Sequence, residues 1–174
     1  MNQIRRFFKE GWGRDLSVAL VLALVLKASV ADARVVPTPS MVPTVQVGDR
    51  LFVEKVVMKV TGLKRGDVIV FTPPPQTASE DDYLKRLIGL PGETVSVHDG
   101  KVYINGQPLD EPYIKEAPTY TYGPITVPEG KVLVLGDNRN QSYDSHAWGL
   151  LDESEVHGRA WIRYWPLNRI GLLK

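Results

Sequence analysis

Cysteine is absent from this chain of 174 residues. That excludes disulfides, thiol nucleophiles and cysteine-ligated metals together, while leaving an extracytoplasmic location open. Histidine is scarce. His98, His146 and His157 show no metal-ligand spacing; no metal or other cofactor is expected. An excess of one charge is missing too: the formal net charge is +1, and residues 34–174 carry 16 basic and 17 acidic side chains. Such a balanced body offers no nucleic-acid surface. The surplus basic charge lies at the N-terminus, where Arg5, Arg6, Lys9 and Arg14 face one acid, Glu10. Basic residues beside an apolar run point to a membrane. After residue 33 no long amphipathic helix is evident.

The apolar run is Leu16–Ala31, 16 residues, or roughly 24 Å as a helix. A full membrane span takes about 20 residues. Lys27 lies near the outer end and can snorkel to the interface, and Phe7, Phe8 and Trp12 can seat the inner end. The run reads as a retained anchor or as a secretory signal peptide, for which Ala31-Asp32-Ala33 would be a small-x-small cleavage site. A buried core helix is a third reading, but it leaves the basic flank without a purpose. The two membrane readings both send residues 34–174 across the bilayer.

That body reads as mainly β: a small mixed β fold of curled antiparallel sheets, preceded by one N-terminal transmembrane helix. The expected units are a cytoplasmic basic segment 1–14, an anchor helix 15–33 and an extracytoplasmic domain 34–174. Strands are expected at 51–56, 68–71, 94–98, 101–104, 125–127 and 132–135. Asp99-Gly100 and Asn105-Gly106 are tight turn signals. Residues 73–82, rich in proline and acid, read as a loop.

Two side chains carry candidate chemistry. Lys85 is embedded in the apolar stretch Tyr83-Leu84-Lys85-Arg86-Leu87-Ile88, where desolvation lowers a lysine pKa and makes it a general base near neutral pH. A fall of roughly three units from the ordinary value is needed for appreciable free amine. Ser40 lies in Pro37-Thr38-Pro39-Ser40-Met41-Val42-Pro43, where three prolines stiffen the backbone around a candidate nucleophile. Thr38, two residues earlier, shares its face in an extended segment. Taken singly, the same features also fit turn chemistry at Ser40 and a solvent-facing strand lysine at 85. Arg139 is a candidate partner for Asp144.

The Ser40 segment resembles the nucleophile box of type I signal peptidases. Further segments resemble that family in order: Arg65–Phe71, Tyr83–Glu93, Gly136–His146 and Gly158-Arg159-Ala160. The likeness spans nearly the whole chain. It implies a serine–lysine endopeptidase in which Ser40 attacks, Lys85 is the base, and Thr38 with the Ser40 N–H forms the oxyanion hole. Ser142 would orient Lys85, and Asp144 would support that region. His146 stands where the family often has arginine, which leaves the detailed role of Asp144 open. The implied substrates are secretory preproteins with Ala-x-Ala-type sites. The implied place is a bacterial cell membrane, crossed once, with the N-terminus cytoplasmic and the catalytic domain on the outer face. Met41, Val42 and Trp148 are candidates for contact with the lipid bilayer. Two other readings are a self-cleaving repressor, whose DNA-binding domain is missing here, and a tethered β domain that binds without chemistry.

Overall fold

A computed structural model describes residues 15–20 and 31–173 of the chain. The expected segment 1–14 and residues 21–30 of the expected anchor lie outside the described residues. Residues 15–20 are helical. Ala31–Ala33, however, belong to a strand rather than to the end of a helix, so the folded body starts earlier than residue 34. This strand, β1 (Ala31–Val35), pairs antiparallel with β2 (Arg50–Glu54), and Lys55 fixes Asp32 at 2.8 Å. Sheet pairing wins over the apolar helical run because it satisfies the backbone and seats Asp32 beside a cation. Among the described residues no helix is long and apolar enough to cross a membrane.

The strands follow the alternation of apolar residues. β3 (Val68–Phe71) is buried throughout. Val68 and Val70 enter one core with Val36, Met41 and Leu51, while Ile69 and Phe71 enter a second with Leu87, Val134 and Trp148. A strand buried on both faces reads as an unbroken apolar run. β9 (Lys131–Leu135) does the same: Val132 and Val134 face the second core, and Leu133 and Leu135 face a third with Ile88, Val95 and Val102. This period of two lets β4 (Tyr83–Gly89) and β9 divide the interior into layers.

The main sheet runs β1-β2-β11-β3-β4-β9-β10, with β12 beside β11. Here β10 is Leu151–Asp152, β11 is Val156–Trp165 and β12 is Gly171–Leu172. A smaller sheet has the order β7-β6-β5-β8, from β5 (Thr94–His98), β6 (Lys101–Ile104), β7 (Gln107–Pro108) and β8 (Tyr122–Thr126). At the β5–β6 hairpin both Asp99 and Gly100 have positive φ, 50° and 71°, the backbone of a two-residue type I′ turn. The strand expected over 51–56 stops at Glu54. Val56–Thr61 forms a short helix, α1, because the Glu54 carboxylate accepts the Met58 N–H and Met58 is buried.

Two features position the site. β1 is an end strand of the main sheet. β4 pairs with β3 along Tyr83–Arg86, but its pairing with β9 begins only at Arg86. The sheet curls so that the unpaired edge at Tyr83–Lys85 meets the segment following β1, and a cleft of about 590 Å³ lies between them.

Candidate active site

The chain after β1 is held rigidly as it reaches Ser40. The Val42 N–H donates to Pro39 O at 3.1 Å and the Val45 N–H to Met41 O at 2.9 Å, so Ser40 opens a tight turn. From the other side, the Asn138 N–H donates to Ser40 O at 3.0 Å and its side-chain amide to Pro39 O. Gly136 permits this approach, since a Cβ there would lie 2.5 Å from Ser40 O and 2.2 Å from the Ser142 hydroxyl. Among the described residues no backbone carbonyl accepts from the Ser40 N–H, which leaves it available to an oxyanion.

Lys85 comes from β4, opposite Ile69 on β3. Its side chain is buried, Nζ lies 5.3 Å from the centre of the Tyr83 ring, and it donates to Ser40 Oγ at 2.8 Å. Lys85 is 4% exposed and Ser40 7%. Burial pulls the Lys85 pKa down from 10.5 to about 8, while the carboxylates of Asp144 and Asp137 oppose the fall. The direction is the one expected from sequence, and the two acids limit the fall by favouring the ammonium. A neutral Lys85 at this distance is able to take the Ser40 hydroxyl proton. The Thr38 hydroxyl lies 3.2 Å from Ser40 Oγ, as the shared face of residues i and i+2 requires.

Asp144 is fully buried and caps the short helix α2 (Ser145–Trp148). It accepts from the Gly136 N–H at 2.8 Å, and His146 Nδ1 lies 2.7 Å from its Oδ1. The His146 ring stacks on Tyr120 with centroids 4.2 Å apart. His146 thus contacts the carboxylate directly, through its backbone N–H and its ring.

Three expectations differ from what is found. The Ser142 hydroxyl is buried with no hydrogen-bond partner, so the bond expected to orient Lys85 is not made; Lys85 Nζ is directed at Ser40. Arg139 pairs with Glu111, at 2.6 and 2.7 Å, instead of Asp144; its other bond, to Gly136 O, still braces the loop. Met41 and Trp148 are core residues at 1% and 8% exposure and are not available to lipid.

Sequence reasoning gave no role to Arg86 or Asp137, yet they form a fully buried pair. Arg86 Nε and Nη2 donate to the two carboxylate oxygens at 2.8 and 2.7 Å. Thr44 donates to the same carboxylate, and Arg86 also donates to Gly66 O. The signal available was a second cation inside an apolar strand, next to the first. Among the described residues no cluster of three or more His, Asp or Glu side chains is placed to hold a metal ion.

The profile of a family described as "Signal peptidase, peptidase S26" matches residues 9–165. A probable signal peptidase I-2 from Synechocystis sp. is 46% identical, covering 92% of this chain and 75% of its own. The signal peptidase I of Leptolyngbya laminosa is 48% identical over 92% of this chain and 81% of its own. A crystal structure of a signal peptidase I from Enterococcus faecalis is 38% identical, with a TM-score of 0.48, covering 56% of this chain and 95% of that one.

Proposed function

Because the chain belongs to the signal peptidase (peptidase S26) family, we propose that Ser40 and Lys85 perform its peptide hydrolysis. The protein is a membrane-associated serine endopeptidase of the signal peptidase I type, acting on secreted preproteins. The observation that carries the assignment of roles is the buried 2.8 Å contact from Lys85 Nζ to Ser40 Oγ. Neutral Lys85 takes the hydroxyl proton as Oγ adds to the scissile carbonyl. The developing oxyanion receives hydrogen bonds from the Ser40 N–H and the Thr38 hydroxyl. Lys85 returns the proton to the leaving amine, and a serine ester remains. Water, deprotonated by Lys85, then releases the acid and restores Ser40. Ser142 orients Lys85 when Ser40 is acylated, a role supported by its buried, unpartnered hydroxyl. Asp144 supports the loop and raises the basicity of Lys85.

The substrate segment before the cut lies extended in the cleft and uses the open backbone of Tyr83–Lys85 as a pairing edge. Small residues at the first and third positions before the cut, as in Ala-x-Ala, fit shallow apolar walls such as those of Val36, Met41 and Leu84. The enzyme crosses a bacterial membrane once, with the basic residues 1–14 cytoplasmic, the apolar run as anchor and the catalytic domain outside. Exposed Phe52, Trp161, Trp165, Ile170 and Leu172 support lipid contact by the body, since aromatic side chains favour the membrane interface.

The test is incubation of detergent-solubilised protein with a preprotein carrying an Ala-x-Ala site, read as the mass of the new amino terminus. One cut after the small-x-small site is expected, lost in Ser40→Ala. Cleavage that persists in Ser40→Ala would remove the assignment. The base also fixes a pH profile. With a Lys85 pKa of about 8, the free-amine fraction rises about tenfold from pH 7 to pH 9. The kcat/KM is expected to follow it, with a midpoint near 8. A profile flat between pH 7 and 9 would exclude Lys85 as the titrating base.

A further inference from the structure

We propose that Arg34 and Asp82 form a clasp across the substrate cleft and that Asp82 selects against acidic side chains at the fourth residue before the cut. This inference rests on the Ser40–Lys85 reading and extends it to specificity. Arg34 is on β1, the end strand. Asp82 immediately precedes the open edge of β4. The dyad joins β4 to the segment that follows β1, at 2.8 Å. Arg34 Nη2, on β1 itself, meets Asp82 Oδ2 at 2.9 Å. Both residues line the cleft. An extended peptide added along Tyr83–Lys85 occupies the space the ion pair spans, so entry parts the pair.

The two partners are held unequally. The Asp82 carboxylate also meets His157 Nε2 at 3.4 Å, and that ring nitrogen is 2.7 Å from the Thr72 hydroxyl. Asp82 has the shorter side chain, and it is only 21% exposed. Arg34 is 45% exposed, with a second acid, Asp32, at 3.7 Å on its own strand. When the clasp opens, the long Arg34 side chain moves and Asp82 stays. Asp81 lines the same wall. The face left towards the peptide is negative. A substrate glutamate there meets like charge, and a lysine there takes the place of Arg34. Specificity built on repulsion of the wrong partner needs no additional contact with the right one.

The position follows from strand geometry. Asp82 lies three residues before Lys85. For a peptide that runs parallel to β4, with the residue just before the cut abreast of Lys85, the fourth residue before the cut is abreast of Asp82. It lies just beyond the positions restricted to small side chains.

The experiment uses full-length enzyme in detergent and three preproteins that differ only in lysine, glutamine or glutamate at that fourth residue. Within each enzyme kcat/KM is referred to its own glutamine substrate, so the folded fraction cancels. Because the pair is partly exposed, the wild type is expected to favour lysine over glutamate by about fivefold at low salt, with the ratio shrinking at high salt. Asp82→Asn is expected to lose most of that ratio. Arg34→Gln is expected to keep it and to lower KM for the glutamine substrate, since no clasp has to part. A wild-type ratio near one, or a full ratio retained by Asp82→Asn, overturns the clasp while Ser40-dependent cleavage still stands. Cleavage that survives Ser40→Ala would remove the dyad reading and this inference with it.

Discussion

Lys85→Met is expected to abolish cleavage and, at the same time, to make the folded body more stable at neutral pH. Loss of the general base costs about 10²- to 10⁴-fold in rate. The stability change has the opposite sign because the fold pays to bury an ammonium. The Lys85 pKa is lowered from 10.5 to about 8 in the folded protein. A shift of that size corresponds to about 3 kcal/mol against folding when both states are protonated. The penalty is complete below pH 8. It fades as pH rises from 8 towards 10.5, where the folded state has released its proton and the unfolded chain still holds one. Methionine keeps the length of the side chain and carries no charge. It gives up the charge-assisted bond to Ser40, a loss of about 2 kcal/mol. The net gain at pH 7 is about 1 kcal/mol, or a few degrees in Tm. Thermal unfolding of wild type and variant at pH 7 and pH 10 tests this. A gain present at pH 7 and largely gone at pH 10 is the expected result; an equal change at both would mean that packing, not charge burial, separates the proteins.

The same residue shows why parts of this molecule were legible in its sequence and others were not. Runs such as Val68–Phe71 and Val132–Leu135 identify strands because burial on both faces demands unbroken apolar side chains. Asp99-Gly100 identifies its hairpin because both residues adopt positive φ. The pairing of Ser40 with Lys85 was reached through the order of the family-like segments, and the curl of the sheet supplies the 2.8 Å contact. What stayed hidden depends on contacts between distant segments. Arg139 is five residues from Asp144 in sequence, but Glu111 reaches it from the region after β7 and wins it with two short bonds. Met41 and Trp148 look exposable beside the site, yet the curl of the main sheet encloses both. The end of the apolar run at Ala31 reads as helix in the sequence because its strand pairing depends on β2, where Glu54 is its partner. The Arg34–Asp82 contact has no local signature either, since it joins two edges that approach only when the sheet curls.

Arg86→Met is expected to be among the most destabilising single changes in the protein, at about 3–5 kcal/mol, because it leaves a buried carboxylate without its cation. Arg86 and Asp137 are both 0% exposed. After the change, the Thr44 hydroxyl is the side-chain donor left to Asp137 among the described residues. The double variant Arg86→Met/Asp137→Leu is expected to recover most of the loss, since a buried ion pair replaced by apolar groups of similar volume is often close to neutral. Chemical denaturation of the two single variants and the double variant gives the coupling directly. The pair also bears on the reaction. Asp137 lies between Gly136, which admits the Ser40 carbonyl, and Asn138, which holds it at 3.0 Å. The Asp137 charge is one of the two that keep the Lys85 pKa from falling further. Asp137→Asn, which keeps Arg86, removes that charge alone, so the midpoint of its kcat/KM profile moves below about 8. An Asp137→Asn enzyme that titrates at the wild-type midpoint would show that Asp137 braces the Ser40 loop without tuning Lys85. A double variant as unstable as Arg86→Met alone would show that the hydrogen bonds to Gly66 and Thr44, more than the ion pair, hold this part of the fold together.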